Sequence, residues 1–584
     1  MTTGINTYRP PIMGVTHMVS AGHYLAAAAG YRILEAGGNA IDAGVASGIA
    51  INVVMPENTN FGGVAPIMIY HAASEQVVTI SGLGRWPRAA SIDYFMQHMD
   101  GDIPLGISRS IVPAAPDAWL TALETYGSMT FEQVVQPALE LAEHGFPLSE
   151  PTQNGIALQA QPPDNPSVPF RFPSTQALFM PNGRVLEVGE RFVQTDLART
   201  FKRLIEAERA QANAGRQAAL HAARDFFYKG DIAVEMAQFS AAQGGLLTLD
   251  DLRDFAVRIE PPVQGTFQDI TVLTCGPWCQ GPVVAQTLQM LENEDLQSLG
   301  HNSPDYIHLV VEALNLSFSD REHFYGDPDF VNVPIDTLLS KPYTQDRRQQ
   351  INPKRAFGKL PPPGNPWALQ AKPTSAGSVT ASSPHGEHTY DTSYTCVVDK
   401  WGNGFSATPS DASFWTPIVP GLGFLMSGRG SQSWLEPEHP SSLQAWKRPR
   451  LTPNPAMAFR NGKLLMPFGC PGGDAQCQAM VQMFLNIVAF GMDPQAAIEA
   501  PRFTSSNFPN SFWPHAYLPG RLNVEGRIAQ ETIEALARRG HDIAVKDDWE
   551  RMSMAVLSTI VVDADAGTLS AGADPRRDTY AIGR

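Results

Sequence analysis

The sequence predicts an α+β fold, and three features carry that prediction. Alanine-rich helical stretches fill much of the first two-thirds of the chain, short strand-like runs come in pairs joined by turns, and the two kinds follow no regular βαβ alternation. Residues 22–53 read as helix: GHYLAAAAGYRILEAGG carries an apolar stripe, Gly37-Gly38-Asn39 breaks it, and a second helix runs from Ala40, entering through Asp42 and Ala43. A turn at 57–63 leads to two strands, APIMIYHAA and QVVTISG, paired across Ala73-Ser74-Glu75. Helical patterning returns over 114–146 and strongly over 196–222. Thr248-x-x-Asp251 opens a further helix with a capping pattern. QDITVLTCG is a strand, and VVAQTLQMLENE and DYIHLVVEALNLSFSDREHFYG are long helices.

The bulk composition sets limits on function. With 42 basic and 58 acidic residues the chain carries a formal charge of −16, which argues against nucleic acid or an anionic membrane surface as partner. Five cysteines, Cys275, Cys279, Cys396, Cys470 and Cys477, are too few and too scattered for a disulfide framework or a zinc motif. His385-Gly386-Glu387-His388 is a poor metal motif in a loop-like stretch. MTTGINTYRPPIMG has no apolar core of a signal peptide, and no apolar run is long enough to span a membrane, so a cytoplasmic location is expected.

The composition changes over 357–390, which is rich in Pro, Gly, Ser, Thr and Ala and reads as a mobile, solvated tether. It runs directly into TYDTSYTCVVD, a strand with Ser393, Thr395 and Val397 on one face and Tyr394, Cys396 and Val398 on the other. GNGFSATP returns as its partner after the turn at 399–403. A tether that ends at a buried strand suggests that the chain is cut at the junction. Further on, Phe468 to Pro471 end a strand, Gly472-Gly473 turn, and a helix starts near Asp474. Glycines that open a helix present free N–H groups to an anion, although an isolated PGG is usually a plain connection.

Taken in order, AGGNAIDAGVA, Phe61-Gly62-Gly63, SIVPAAPDAWLTALETYG, FYKGDIA, SDREHFYGDPDFVNVP, DTSYTCVVDKWGN, KRPRLTPNPAM, FGCPGGD and GADPRRDTYAIG resemble the γ-glutamyltranspeptidase family of N-terminal-nucleophile hydrolases. The likeness is strongest to its cephalosporin-acylase-like and oxamate-amidohydrolase-like members. It implies a four-layer αββα sandwich made as a precursor that cuts its own Asp391–Thr392 bond. A large subunit, 1–391, with the tether 357–391 at its end, and a small subunit, 392–584, would stay packed as one αββα domain. A homodimer of such heterodimers is compatible with the resemblance.

The resemblance also assigns roles. Thr392 is the nucleophile and its freed α-amino group the base, a sensible pairing because an α-amine has a reference pKa of about 7.7–8.0 and is held beside its own hydroxyl. Gly472 and Gly473 supply the N–H groups for a developing oxyanion. Ser410 matches a hydroxyl that hydrogen-bonds the nucleophile and assists self-cleavage. No metal or organic cofactor is implied, because nucleophile and base are both in the chain. The substrate would be a small amide, with water or an amine as acceptor.

The chain departs from the glutamyl-transferring pattern at the substrate end. Leu83 stands at the family's carboxylate-binding arginine, with Arg85 two residues on. Gln432 replaces an aspartate that pairs the substrate ammonium, and a neutral amide cannot make that pair. Leu451 and Thr452 keep one of two hydroxyls. These changes favour an acyl group without the amino function, a glutaryl- or oxamate-like dicarboxylic monoamide, with Arg429, Arg85 and Arg450 as candidates for its acid end. Cys470 and Trp278-Cys279-Gln280-Gly281 are pocket-lining or core residues. Two alternatives stay open: a true γ-glutamyltransferase or glutathione hydrolase, and a relative that binds a metabolite without turnover.

Overall fold

The computed structural model describes residues 7–160, 171–367, 391–551 and 553–584. Two seven-stranded antiparallel sheets form its centre. One runs Ile12–Gly14, Thr568–Ala573, Ser558–Asp563, Lys463–Gly469, Ala456–Arg460, Ile270–Thr274, Val263–Phe267. The other runs Tyr580–Gly583, Met18–Ala21, Thr395–Val398, Gly404–Ala407, Ile67–His71, Gln76–Ile80, Ile259–Glu260. Their facing sides share a core of Met18, Met68, Cys396, Val398, Met457, Leu464 and Ile560. The far side of the second sheet, through Val397, Phe405 and Ala407, packs on the helices Tyr24–Glu35, Ala40–Val54 and Ala115–Tyr126. The far side of the first, through Val272, Ala458 and Phe468, packs on Pro282–Leu291, Pro304–Phe324 and Ala475–Val488. The layers are therefore α, β, β, α, as the sequence led one to expect. Among the described residues no helix is long and apolar enough to cross a membrane.

Local chemistry explains why these elements begin where they do. The helix Ala40–Val54 is capped by Asn39, whose side chain accepts from Ile41 and Asp42 while Asp42 returns a bond to the Asn39 amide. Every residue of this helix is buried. Glycine is required at 44 because a Cβ there would stand 2.1 Å from the Phe405 ring of the sheet beneath. Asp399 organises the turn between the two central strands: it accepts from the Trp401 and Asn403 amides and from the Ala40 amide at 2.7 Å. One carboxylate thus shapes a hairpin and supports a helix N-terminus.

The start of the expected tether is a correction. Residues 357–364 are irregular but docked: the Leu360 amide donates to the Tyr517 hydroxyl, Ser319 and Arg347 donate to the carbonyls of Pro361 and Pro362, and the Gly364 amide donates to Asp320. Prolines have no N–H, so pairing their carbonyls is enough to let the strap lie against helices without orphaned donors. The rest of that expectation, 368–390, and the 385–388 histidine motif lie outside the described residues. All five cysteines are buried and unpaired. A three-stranded sheet of Phe503–Ser505, Arg521–Glu525 and Asp542–Lys546 was not read from the sequence; its parallel pair joins strands separated by a helix.

Candidate active site

The central hairpin places Thr392. Thr395 pairs with Ala407 and Val398 with Gly404. Continued three residues outward, the same register sets Thr392 opposite Ser410, and their hydroxyl oxygens are 2.6 Å apart. The Thr392 amide donates to the Asn58 carbonyl at 2.8 Å, and Thr392 is fully buried. Its φ is +106°, a region that β-branched residues avoid. Backbone held this way costs about 1–3 kcal/mol.

Asp391 and Arg429 complete the group. Arg429 comes from the short helical turn Arg429–Gln432 and is fully buried. Its Nη2 donates both to Asp391 Oδ2 and to Ser410 Oγ. Its Nε is 3.4 Å from Asp411 Oδ1, close enough for an ion pair but poorly aligned for a hydrogen bond, and Nη1 has no hydrogen-bond partner among the described residues. Trp415 and Phe512 flank the guanidinium, with ring centres 5.5 and 5.3 Å from Cζ. Burial pushes the Asp411 carboxyl up to about 6; the Arg429 cation works against that and the neighbouring Asp391 reinforces it.

The remaining sequence-predicted residues fall in two groups. Gly472 and Gly473 follow the strand Lys463–Gly469 with φ of +125° and +55°. A Cβ on Gly472 would press on Ala555 at 3.0 Å. Neither glycine amide donates to an acceptor among the described residues, so both N–H groups remain available. Gln280 ties this loop to the next: its Nε2 donates to the carbonyls of Gly473 and Thr452, and Thr452 Oγ1 accepts from Gln432. The Gln432 side-chain oxygen, Oε1, is buried with no partner among the described residues.

Arg85 and Arg450, by contrast, are engaged elsewhere. Arg85 pairs with Asp329 at 2.7 Å and donates to the Trp446 carbonyl, while Arg450 pairs with Glu322 at 2.8 Å. Of the three arginines put forward for an acid end, only Arg429 contacts the Thr392 group. Sequence reasoning passed over Asn58, Asp411, Trp415 and Phe512. Asp411 carried a signal, since it directly follows Ser410; the aromatic pair carried none.

A cavity of about 190 Å³ adjoins the site, with Asn58, Ala412, Trp415, Glu57 and Arg577 in its wall. Burial pushes the Glu57 carboxyl up to about 7. Unfolded glutamates titrate near about 4.3, so between roughly pH 4.5 and 7 the fold holds this proton more tightly than the unfolded chain does. The resulting stability is present at acid pH and lost as pH rises through that window. Glu57→Gln is expected to reduce the fall in melting temperature between about pH 5 and about pH 7.5, removing on the order of 1–3 kcal/mol of pH dependence; thermal unfolding of both proteins checks it.

A four-layer αββα sandwich with a buried threonine at the head of a central strand defines the class of N-terminal-nucleophile hydrolases, and this chain is an enzyme of that class. It belongs to the γ-glutamyltranspeptidase family, whose model, Gamma-glutamyltranspeptidase, matches residues 26–584. It is 33% identical to the glutathione hydrolase-like YwrD proenzyme of Bacillus subtilis, over 98% of this chain and 99% of that one. It is 30% identical to the acylase ACY 1 proenzyme of Pseudomonas sp. (strain V22), over 92% of this chain and 88% of that one. Among solved structures it resembles cephalosporin acylase from Bacillus halodurans, with a TM-score of 0.84, 26% identity and coverage of 100% of this chain and 99% of the other. The chain is therefore a hydrolase or transferase whose relatives include both glutathione hydrolases and acylases.

Proposed function

We propose that the chain cuts itself between Asp391 and Thr392, giving 1–391 and 392–584, and that Thr392 then hydrolyses a small amide whose acyl group ends in a free carboxylate. The observation that carries this reading is the buried Thr392–Ser410–Arg429–Asp391 group, with the strained φ at Thr392. In the cut, Thr392 Oγ adds to the Asp391 carbonyl carbon and the C–N bond breaks. The nitrogen takes up the proton, and water then hydrolyses the ester between Asp391 and Thr392 Oγ. Release of the +106° backbone favours the forward direction.

In turnover the freed α-amine removes the hydroxyl proton as Thr392 attacks the amide carbonyl. The amine product leaves with that proton, and water resolves the acyl ester. The two free N–H groups of Gly472 and Gly473 are suited to the oxyanion. The ester of the cutting step has the same connectivity as the acyl ester of turnover. Once Asp391 is a chain end it can leave, and Arg429 then keeps its bond to Ser410 Oγ and, as a carboxylate, the poorly aligned Asp411. A buried guanidinium in that state calls for a carboxylate. This supports a dicarboxylic monoamide, of glutaryl or oxamate type, over a γ-glutamyl donor, because the neutral Gln432 stands where the family's ammonium-pairing aspartate would be and an amide cannot make that pair. With glutaryl anilide and γ-glutamyl anilide side by side, the glutaryl compound should be the better substrate; a clear preference for the glutamyl compound would sink the assignment.

A further inference from the structure

Among the described residues, one cluster of three metal-ligating side chains lies apart from Thr392: His308, Glu312 and His541, all buried, with ligand atoms within 4.8 Å of one another. His308 and Glu312 stand one turn apart on the helix Pro304–Phe324 and so share a face. His541 comes from the turn between the helix Gln530–Arg538 and the strand Asp542–Lys546. The pair His308 and His541 is 233 positions apart, so no local motif announces it.

The geometry of the three groups suits a ligand. His308 Nε2 lies 2.8 Å from the Asn352 carbonyl, which can only accept, so Nε2 carries the proton and Nδ1 keeps its lone pair. An imidazole oriented by a backbone carbonyl is the usual outer support of a metal-binding histidine. That Nδ1 is 2.9 Å from His541 Nε2, and the two rings cross at 74°. Nitrogens on a tetrahedral zinc, each about 2.0–2.1 Å from the metal, stand roughly 3.3 Å apart, so a small outward shift of the rings makes room.

Glu312 supplies the charge. Its oxygens accept from the Phe357 amide at 3.3 Å and the Asn315 side chain at 3.5 Å, thin support for a buried carboxylate; Oε1 is 3.9 Å from Nδ1 of His541, the ring nitrogen that does not face His308, and the three residues come within 4.8 Å of one another through one ligand atom each. Arg539, which neighbours both histidines, is itself held by Asp305 and the Pro304 carbonyl.

We propose that His308, Glu312 and His541 bind a divalent transition metal of the zinc class, with water in the fourth position. Two imidazoles and one carboxylate are a ligand set zinc accepts. Asn352 and Phe357, which touch the cluster, lead into the docked strap at 357–364, so the metal pins that strap as well. His308 and Glu312 precede Asp391 and His541 follows Thr392; in the cut protein the metal would clamp the two subunits together. The clamp rests on the cleavage reading, whereas metal binding does not.

The test uses tag-free, full-length protein stripped with chelator and then given zinc or cobalt(II). Expected are about one zinc per chain after desalting and visible ligand-field bands of tetrahedral cobalt. His541→Ala and, separately, Glu312→Gln should lose both signals, while His323→Ala, a histidine outside the cluster, keeps them. Thr392→Ala should bind zinc as the native protein does, which separates this proposal from self-cleavage. Stripped native protein that retains no zinc and shows no cobalt bands, or cluster variants that bind as tightly as native, would mean that the three groups are only a hydrogen-bonded piece of core. In the cut protein zinc should also raise the denaturant concentration at which the subunits separate; no change there removes the clamp and leaves the site.

Discussion

Thr392→Ala is expected to stay a single polypeptide and to lose amide hydrolysis by about 10⁴–10⁶-fold, the range seen when a hydrolase loses the central member of its catalytic unit. The substitution removes the hydroxyl that lies 2.6 Å from Ser410 and leaves Asn58, Asp391 and Arg429 in place. Ser410, the other hydroxyl in that group, cannot take over, because it is not on the residue that follows the Asp391 carbonyl and would carry no freed α-amine. Thr392→Ser keeps the oxygen and should still cut, more slowly, since serine lacks the branched carbon whose crowding strains the backbone at +106°. A denaturing gel and an initial-rate assay on the three proteins check both halves. Cutting by the alanine variant would move the nucleophile elsewhere.

Arg429→Gln should act on substrate choice. Breaking a buried ion pair by removing one partner costs about 3–5 kcal/mol, so kcat/KM for a glutaryl amide is expected to fall by between about a hundredfold and several thousandfold. A butyryl amide, which has no acid end, should lose little by comparison. Arg429→Lys should recover part of the loss, because an ammonium supplies the charge without the two-pronged donor geometry. Since Arg429 also holds Asp391 before the cut, rates are to be referred to the quantity of cut enzyme. Equal losses on both substrates would assign Arg429 to folding or cutting rather than to the acid end.

What the sequence made legible was whatever depends on near neighbours. The turn at 399–403 sets the hairpin register, and the register alone brings Ser410 to Thr392. The Asn39–Asp42 cap and the Gly472-Gly473 turn are likewise written within a few residues. What remained hidden depends on partners far along the chain. Arg85 and Arg450 read as free cations until Asp329 and Glu322 are seen beside them, 244 and 128 residues away. The proline-rich strap read as solvated because composition records missing N–H groups and not the Tyr517, Ser319 and Asp320 side chains that receive it. The aromatic walls of Arg429, from Trp415 and Phe512, are a tertiary event with no sequence mark.

The most direct test of the account is the intact mass of the purified native protein under denaturing conditions, before and after brief exposure to a glutaryl amide. The account predicts two polypeptides whose masses place the junction between Asp391 and Thr392, with the smaller one transiently gaining a glutaryl group on its first residue. One uncut chain, or a cut elsewhere, would contradict it, because Thr392 would then have no free α-amine to serve as base.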